Sequence, residues 1–507
     1  MEEDGREVSQ IIDFKLNANK LFLLGMDRWD SSLSISSLHA DYEAGIKPTT
    51  VIHAIFMRIE AYKETQPSVW IHLEPEASVL AAAKALEARW PDPHSRPPLF
   101  GVPFSVKDSI DIAGIPTTSG LPALSHTPKE SAPIYEQSID AGALFIGKTN
   151  MEQLATGMTG CRSPYGTLHS TWSKEHAVGG SSSGSAVSVG AGLVSFSLAS
   201  DTAGSIRVPA LFNGIVGFKP TKGTVSARGV APACKHQDAL SFLALSVGDA
   251  ETVWRVCRGF DRHDPFAKRG FVVRPSAGEK LGVRFGIPPT DALQACSSEY
   301  QRMFLDGVVD SIQDGRRKLV ELDWKPFAAA NELLYNGSFV LERLTIFPEG
   351  WFEKNKQLMH PVTRQVFEGI VARTTTAVGV FRDLQKQEEY KSAVEEMLTL
   401  EEGKEENVLT VLIVPTAPFH PTIQEVERDP IGINARLGIF AHFANVLDLV
   451  GIAIPACSYP VEGADGRKSK LPFGITVLAR AGAEEELIRA TKDLETLFQG
   501  IEEQELE

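Results

Sequence analysis

From about residue 48 onward the apolar positions of the chain follow two alternating periods. Thr50–Tyr62 repeats its apolar residues at helical spacing and Ala77–Trp90 is rich in alanine, so both segments predict helices. Short apolar runs predict buried strands at Ala143–Ile146, Leu193–Leu198, Val411–Val414 and Phe473–Leu478, because a strand covered on both faces loses the polar half of its alternation. Further helices are predicted over Ser298–Asp314, Phe327–Phe347 and Ala483–Phe498. Helical and strand-like text in alternation predicts an α/β layered fold. The breaks at Arg274–Lys280 and Glu401–Glu406 read as surface loops. With no internal repeat and no long linker, the pattern predicts one large domain over 41–499. A segment 1–40 is expected to pack on it, and an acidic tail, 500–507, to fray.

Composition narrows the function classes. The 507 residues carry 50 Lys and Arg against 65 Asp and Glu, a net charge of −15. Such a field repels phosphate backbones and anionic lipid heads, and no basic patch offsets it, so nucleic acid and membrane surfaces are not expected as partners. At 43% apolar residues the chain has material for a large core, which excludes wholesale disorder. The five cysteines, Cys161, Cys234, Cys257, Cys296 and Cys457, stand too far apart for a C-x-x-C pair or a zinc site, which predicts a reduced, cytoplasmic chain. The acidic start Met1-Glu2-Glu3-Asp4 does not read as a secretory signal. Ala177–Ser200 has no charged residue and would be long enough to span a bilayer, but its eight serines and five glycines exclude that.

That uncharged stretch runs into Asp201-Thr202-Ala203-Gly204-Ser205-Ile206-Arg207. Small residues let backbone approach a ligand closely, and consecutive amides that point one way form an anion-binding nest, which is how an oxyanion site is built. A plain Gly/Ser surface linker is the alternative, and the apolar text on either side, Leu193–Leu198 and Phe212–Phe218, speaks against it. Gly180-Ser181-Ser182-Ser183-Gly184 also fits G-x-S-x-G with Ser182 as nucleophile. That motif needs a preceding hydrophobic strand, and Trp172-Ser173-Lys174-Glu175-His176 is loop-like instead. Upstream, Gly101-Val102-Pro103-Phe104-Ser105-Val106-Lys107-Asp108 ends an apolar run on a lysine. A solvated lysine is the ordinary case, but a buried, neutral one can take the proton of a serine hydroxyl.

With Lys107, the loop Gly179–Ser185 and Asp201–Arg207 followed by Gly217-Phe218-Lys219-Pro220-Thr221, the sequence resembles the amidase signature family. The resemblance implies a mixed, twisted central sheet covered by helices on both faces. It also implies Ser205 as nucleophile, Ser181 as a bridging serine behind a cis peptide bond, and Lys107 as base, with the backbone amides of Thr202, Ala203, Gly204 and Ser205 as the oxyanion hole. Asp201 and Arg207 are expected to hold the loop. No metal or organic cofactor is implied, and homodimers are frequent in the family.

Within that family the phrases Gly147-Lys148-Thr149-Asn150, Ala155-Thr156-Gly157, Arg162-Ser163-Pro164-Tyr165-Gly166, Arg228–Cys234 and Val414-Pro415-Thr416-Ala417-Pro418 are most similar to allophanate hydrolases. This implies hydrolysis of a small amide, allophanate first, with ammonia release through an acyl-serine intermediate. It also implies that Tyr335 and Arg343 clamp the substrate carboxylate. On one continuous helix the two would stand about 80° apart. The chain departs from the allophanate hydrolase pattern at Ser119-Gly120-Leu121 and at Ile206, and ends soon after the amidase core. The competing readings are hydrolysis of another small amide, a place as one subunit of an amidotransferase, and a non-enzymatic binding protein.

Overall fold

In the computed structural model the described residues are 29–269, 282–315, 317–399, 408–463, 466 and 468–505, with side chains through 500. The loops expected at Arg274–Lys280 and Glu401–Glu406 lie outside the described residues, as do 1–28 of the expected N-terminal segment. The chain falls into two compact units, Met1–Ser31 and Ser32–Glu507, and the sheet and every candidate residue lie in the second. The expected boundary at residue 40 cuts through a helix, Ile35–Glu43, whose Tyr42 donates its hydroxyl to the Gly101 carbonyl at 2.8 Å.

Among the described residues eleven strands form one sheet: β1 Trp70–Leu73, β2 Pro103–Lys107, β3 Leu144–Thr149, β4 Phe196–Asp201, β5 Val216–Lys219, β6 Ala239–Ala244, β7 Gly282–Ile287, β8 Lys318–Glu321, β9 Val408–Pro415, β10 Val450–Glu462 and β11 Lys468–Ala479. Their order is β1-β3-β2-β4-β6-β5-β10-β11-β9-β7-β8. β2 runs parallel to β3 and β4, β9-β7-β8 is a second parallel group, and antiparallel pairs join the two. Every residue of β2, β3, β4 and β6 is buried, so the sheet is covered on both faces there, as an α/β domain requires.

Helices carry the expected apolar stripes. Pro48–Tyr62 starts on proline, whose missing N–H costs nothing at a helix start, and buries Val51, Ile52, Ile55 and Ile59. Ser298–Asp314 is helical throughout but opens into a π-helical stretch at Met303–Val309. The C-terminal helix Glu484–Glu505 runs on into the acidic tail expected to fray. Leu193 belongs to the turn after the helix Ser183–Gly190, and its amide closes on the Ser188 carbonyl, so β4 begins later and reaches Asp201. Phe212 ends a helix, Arg207–Asn213, rather than opening a strand, because Gly214 adopts the left-handed conformation and turns the chain into β5.

One expected helix is two elements. Phe327–Phe347 divides into an α-helix Lys325–Tyr335 and a 3₁₀ helix Phe339–Ile346. The backbone folds back at Gly337, where a Cβ would stand 2.6 Å from the Leu333 carbonyl, and Arg373 donates to the carbonyls of Tyr335, Asn336 and Gly337. The break follows from a glycine in the right place and from an arginine distant in sequence.

Candidate active site

β2 and β4 are parallel neighbours in the sheet, so their carboxyl ends open on the same edge, where α/β folds place ligands. Lys107 is the last residue of β2 and is completely buried. Its Nζ donates to Ser181 Oγ at 2.8 Å and to Ser200 Oγ at 3.3 Å. Burial brings its pKa down to about 7, against the opposing pull of the Asp201, Asp238 and Glu152 carboxylates, while Arg343 adds to the lowering. An amine this far from water is neutral for a substantial fraction of the time at neutral pH.

Ser181 lies in the turn before Ser183–Gly190, and the Gly180–Ser181 peptide is cis. Gly179 has φ +81° and packs on Pro209, where a Cβ would stand 2.6 Å from Pro209 Cα, so the serine loop presses against the helix Arg207–Asn213. The loop residue Glu152 donates its amide to the Ser181 carbonyl at 3.0 Å, and its Oε1 accepts the amides of Thr159 and Cys161 and the Thr159 hydroxyl. Ser182 opens the helix and follows a loop rather than a strand, so the hydrolase elbow is absent, as expected.

Ser205 sits between the end of β4 and the helix Arg207–Asn213. The turn is fixed by Asp201 and Arg207, both completely buried: Arg207 Nε and Nη2 each reach an Asp201 carboxylate oxygen at 3.0 Å. Arg207 also donates to the Ala441 carbonyl and to Asn445 Oδ1, and Asn445 Nδ2 donates to the Asp201 carbonyl. Asp201 in turn accepts the amides of Gly204 at 2.9 Å and Ile206 at 3.2 Å. The Gly204 amide is taken by Asp201, so the loop amides without a hydrogen bond among the described residues are those of Thr202, Ala203 and Ser205. Lys107 and Ser181 are joined by a hydrogen bond, whereas none joins Ser181 to Ser205 among the described residues.

Tyr335 and Arg343 do not share a helix, so the 80° phase expected of a continuous helix does not apply to them. The break instead returns both residues to one narrow crevice, with no room for a water molecule as the side chains stand, lined also by Thr202, Cys234 and Val340. Arg343 is only 3% exposed. Its Nη2 donates to the Ala155 carbonyl at 2.8 Å, its Nε has no partner, and no carboxylate reaches ion-pair distance among the described residues. Glu342 turns away to the Cys234 thiol and His236. The Tyr335 hydroxyl is pushed up in pKa by burial, with Arg343 opposing, and its ring packs on His442 at 4.7 Å between centroids. Leu121, from the segment that departs from the allophanate hydrolase pattern, packs in one apolar cluster with the crevice residues Val340 and Tyr335.

The sequence did not single out Glu152, Asp238 or Ser200. Ser200 could have been found by position, one residue before Asp201 on a strand beside Lys107; the two carboxylates carry no local signal. No three His, Cys, Asp or Glu side chains converge at metal-binding range among the described residues.

The family model for amidases matches residues 50–488. The chain belongs to the amidase family. It is 34% identical over 415 residues to the urea amidolyase of Saccharomyces cerevisiae, covering 82% of this chain and 21% of that one. This amidase therefore spans about a fifth of the length of that relative. It is 31% identical to a glutamyl-tRNA(Gln) amidotransferase subunit of Anaeromyxobacter dehalogenans, over 82% of this chain and 86% of the relative. Its fold matches the crystal structure of Kluyveromyces lactis allophanate hydrolase with a TM-score of 0.77 at 31% identity, over 92% of this chain and 72% of that one. The amidase is thus an amidohydrolase by family, similar to the allophanate hydrolases. No helix among its described residues is long and apolar enough to cross a membrane.

Proposed function

We propose that this amidase hydrolyses a small amide bearing a carboxylate, with allophanate the best fit, and releases ammonia through an acyl-Ser205 intermediate. Neutral Lys107 accepts a proton from Ser181 as Ser181 takes one from Ser205, and the same path returns the proton to the departing amine. The second leg of this relay closes when substrate seats Ser205, since catalytic hydrogen bonds are often open without ligand. The amides of Thr202, Ala203 and Ser205 receive the oxyanion, where losing one donor typically costs about 10²–10³ in rate.

The observation that carries the substrate class is Arg343. A buried guanidinium without an anionic partner is costly unless something negative joins it, and this one faces the same crevice as Tyr335 and Thr202. Malonamate, which replaces the central N–H of allophanate by CH₂, and neutral malonamide form a matched pair of test substrates. Arg343→Ala should raise KM for malonamate about 10- to 100-fold, the equivalent of one charge-assisted hydrogen bond, and leave malonamide unchanged. Equal loss on both substrates would remove the carboxylate role.

The match to amidotransferase subunits over most of their length favours, as the second reading, amide hydrolysis within a larger assembly. Ammonia release by the isolated chain separates the two. None of the five cysteines is in a disulfide, which fits a cytoplasmic setting, and a homodimer is the expected state.

A further inference from the structure

Asp238, at the end of the loop leading into β6, is half-buried beside the crevice that holds Arg343. Its Oδ1 accepts the Thr202 hydroxyl at 2.5 Å and the Cys234 amide at 3.1 Å, and its Oδ2 accepts the Ala233 amide at 2.9 Å. All of these donors are neutral, and no lysine or arginine is within ion-pair distance of Asp238 among the described residues. Thr202 and Cys234, the residues it ties together, are both crevice walls. Burial pushes the Asp238 carboxyl up in pKa, and the hydrogen bonds from Thr202, Cys234 and Ala233, with Arg343, oppose that and favour its charged form, so the carboxylate is tied to Thr202 of the loop whose amides would hold the reacting carbonyl.

Amide hydrolysis changes the charge at that spot. Water supplies the oxygen, the C–N bond breaks, and the neutral amide becomes a carboxylate and an ammonium ion. The new carboxylate is born among the Thr202, Ala203 and Ser205 amides, on the side of the site that Asp238 supports. An anionic substrate held by Arg343 leaves as a dianion, which those amides and Arg343 together would retain.

We propose that Asp238 is a positioning and product-release residue: its carboxylate fixes the Thr202 wall and repels the carboxylate that the reaction creates. This rests on the reading of Arg343 as a carboxylate site for the dianion, although the new carboxylate forms with any amide substrate. Asp238→Asn separates charge from support, because the amide oxygen can take the two backbone N–H groups while its NH₂ donates to the Thr202 hydroxyl.

The test is product inhibition by malonate during malonamate hydrolysis. Asp238→Asn should lower the malonate inhibition constant about three- to tenfold, the scale of one partly screened charge. Asp238→Glu keeps the charge and alters the reach; it should reduce kcat without tightening malonate. Thr202→Val should reduce kcat on malonamate and malonamide alike with malonate inhibition no tighter. Malonate binding unchanged or weaker in Asp238→Asn overturns the proposal, as does equal tightening in Thr202→Val. Arg343→Ala in the same assay tests the other reading: if malonate binds it as well as it binds the parent, the carboxylate role of Arg343 fails, whereas acetate inhibition still reports on Asp238.

Discussion

Lys107→Met should make this enzyme inactive and, at neutral pH, more stable. The folded protein keeps an amine completely buried with a pKa near 7, whereas in the unfolded chain it titrates at the ordinary lysine value of 10.5. Between these two values the unfolded state binds a proton that the folded state does not, so stability falls by about 1.4 kcal/mol per unit as pH drops from 10.5 toward 7, and is flat below. At pH 7 the accumulated cost is on the order of 4 to 5 kcal/mol. Methionine avoids it but forfeits hydrogen bonds to Ser181 and Ser200, worth about 1 kcal/mol each. The net gain expected for the variant is about 2 to 3 kcal/mol at pH 7, and it should shrink at pH 8 and again at pH 9. Urea denaturation of both proteins across that range measures it, with a fluorophosphonate probe for Ser205 reporting activity. A variant less stable than the parent at pH 7, or a difference that does not change with pH, would refute the claim that this amine is held neutral at a cost to the fold.

Other consequences can be checked with the same material. The acid limb of kcat/KM for malonamide should have its midpoint near pH 7 and fall tenfold per unit below it, as Lys107 gains its proton; a profile flat to pH 5 removes Lys107 as the base. Arg207→Met leaves the Asp201 carboxylate buried without its cation, at a cost of about 3 to 5 kcal/mol, and should lower the urea midpoint and abolish probe labelling of Ser205 together. Gly157→Ala drives a Cβ into Glu152 Oε2 at a φ of +144°, so it should destabilise by roughly 2 kcal/mol or more and slow labelling. Unchanged labelling would show that the Glu152 loop does not support Ser181.

The parts of the site that depend on local chemistry were legible in the sequence. A lysine closing an apolar run, a glycine-rich serine loop and a run of small residues around Ser205 each state a local requirement, and the fold brings all three to the ends of β2 and β4. What could not be read depends on distant segments. The helix proposed over Phe327–Phe347 breaks because Arg373 draws off its last carbonyls, so Tyr335 and Arg343 meet in one crevice by a turn rather than by helical phase. The Gly204 amide, implied by the resemblance as an oxyanion donor, is held by the Asp201 carboxylate, whose orientation depends on Arg207 and the distant Asn445. Strand order is equally non-local: β5 lies beside β10, and the pairing of Phe218 with Ile452 leaves no trace in either segment alone.

The clasp of Arg207 on Ala441 and Asn445 has a consequence for synthesis. Translation from the amino terminus delivers every candidate side chain by Arg343, yet the support for the Ser205 turn arrives only with Asn445. A nascent chain therefore carries its reactive groups in an unfinished pocket until the segment holding Ala441 and Asn445 has been made and has closed on Arg207.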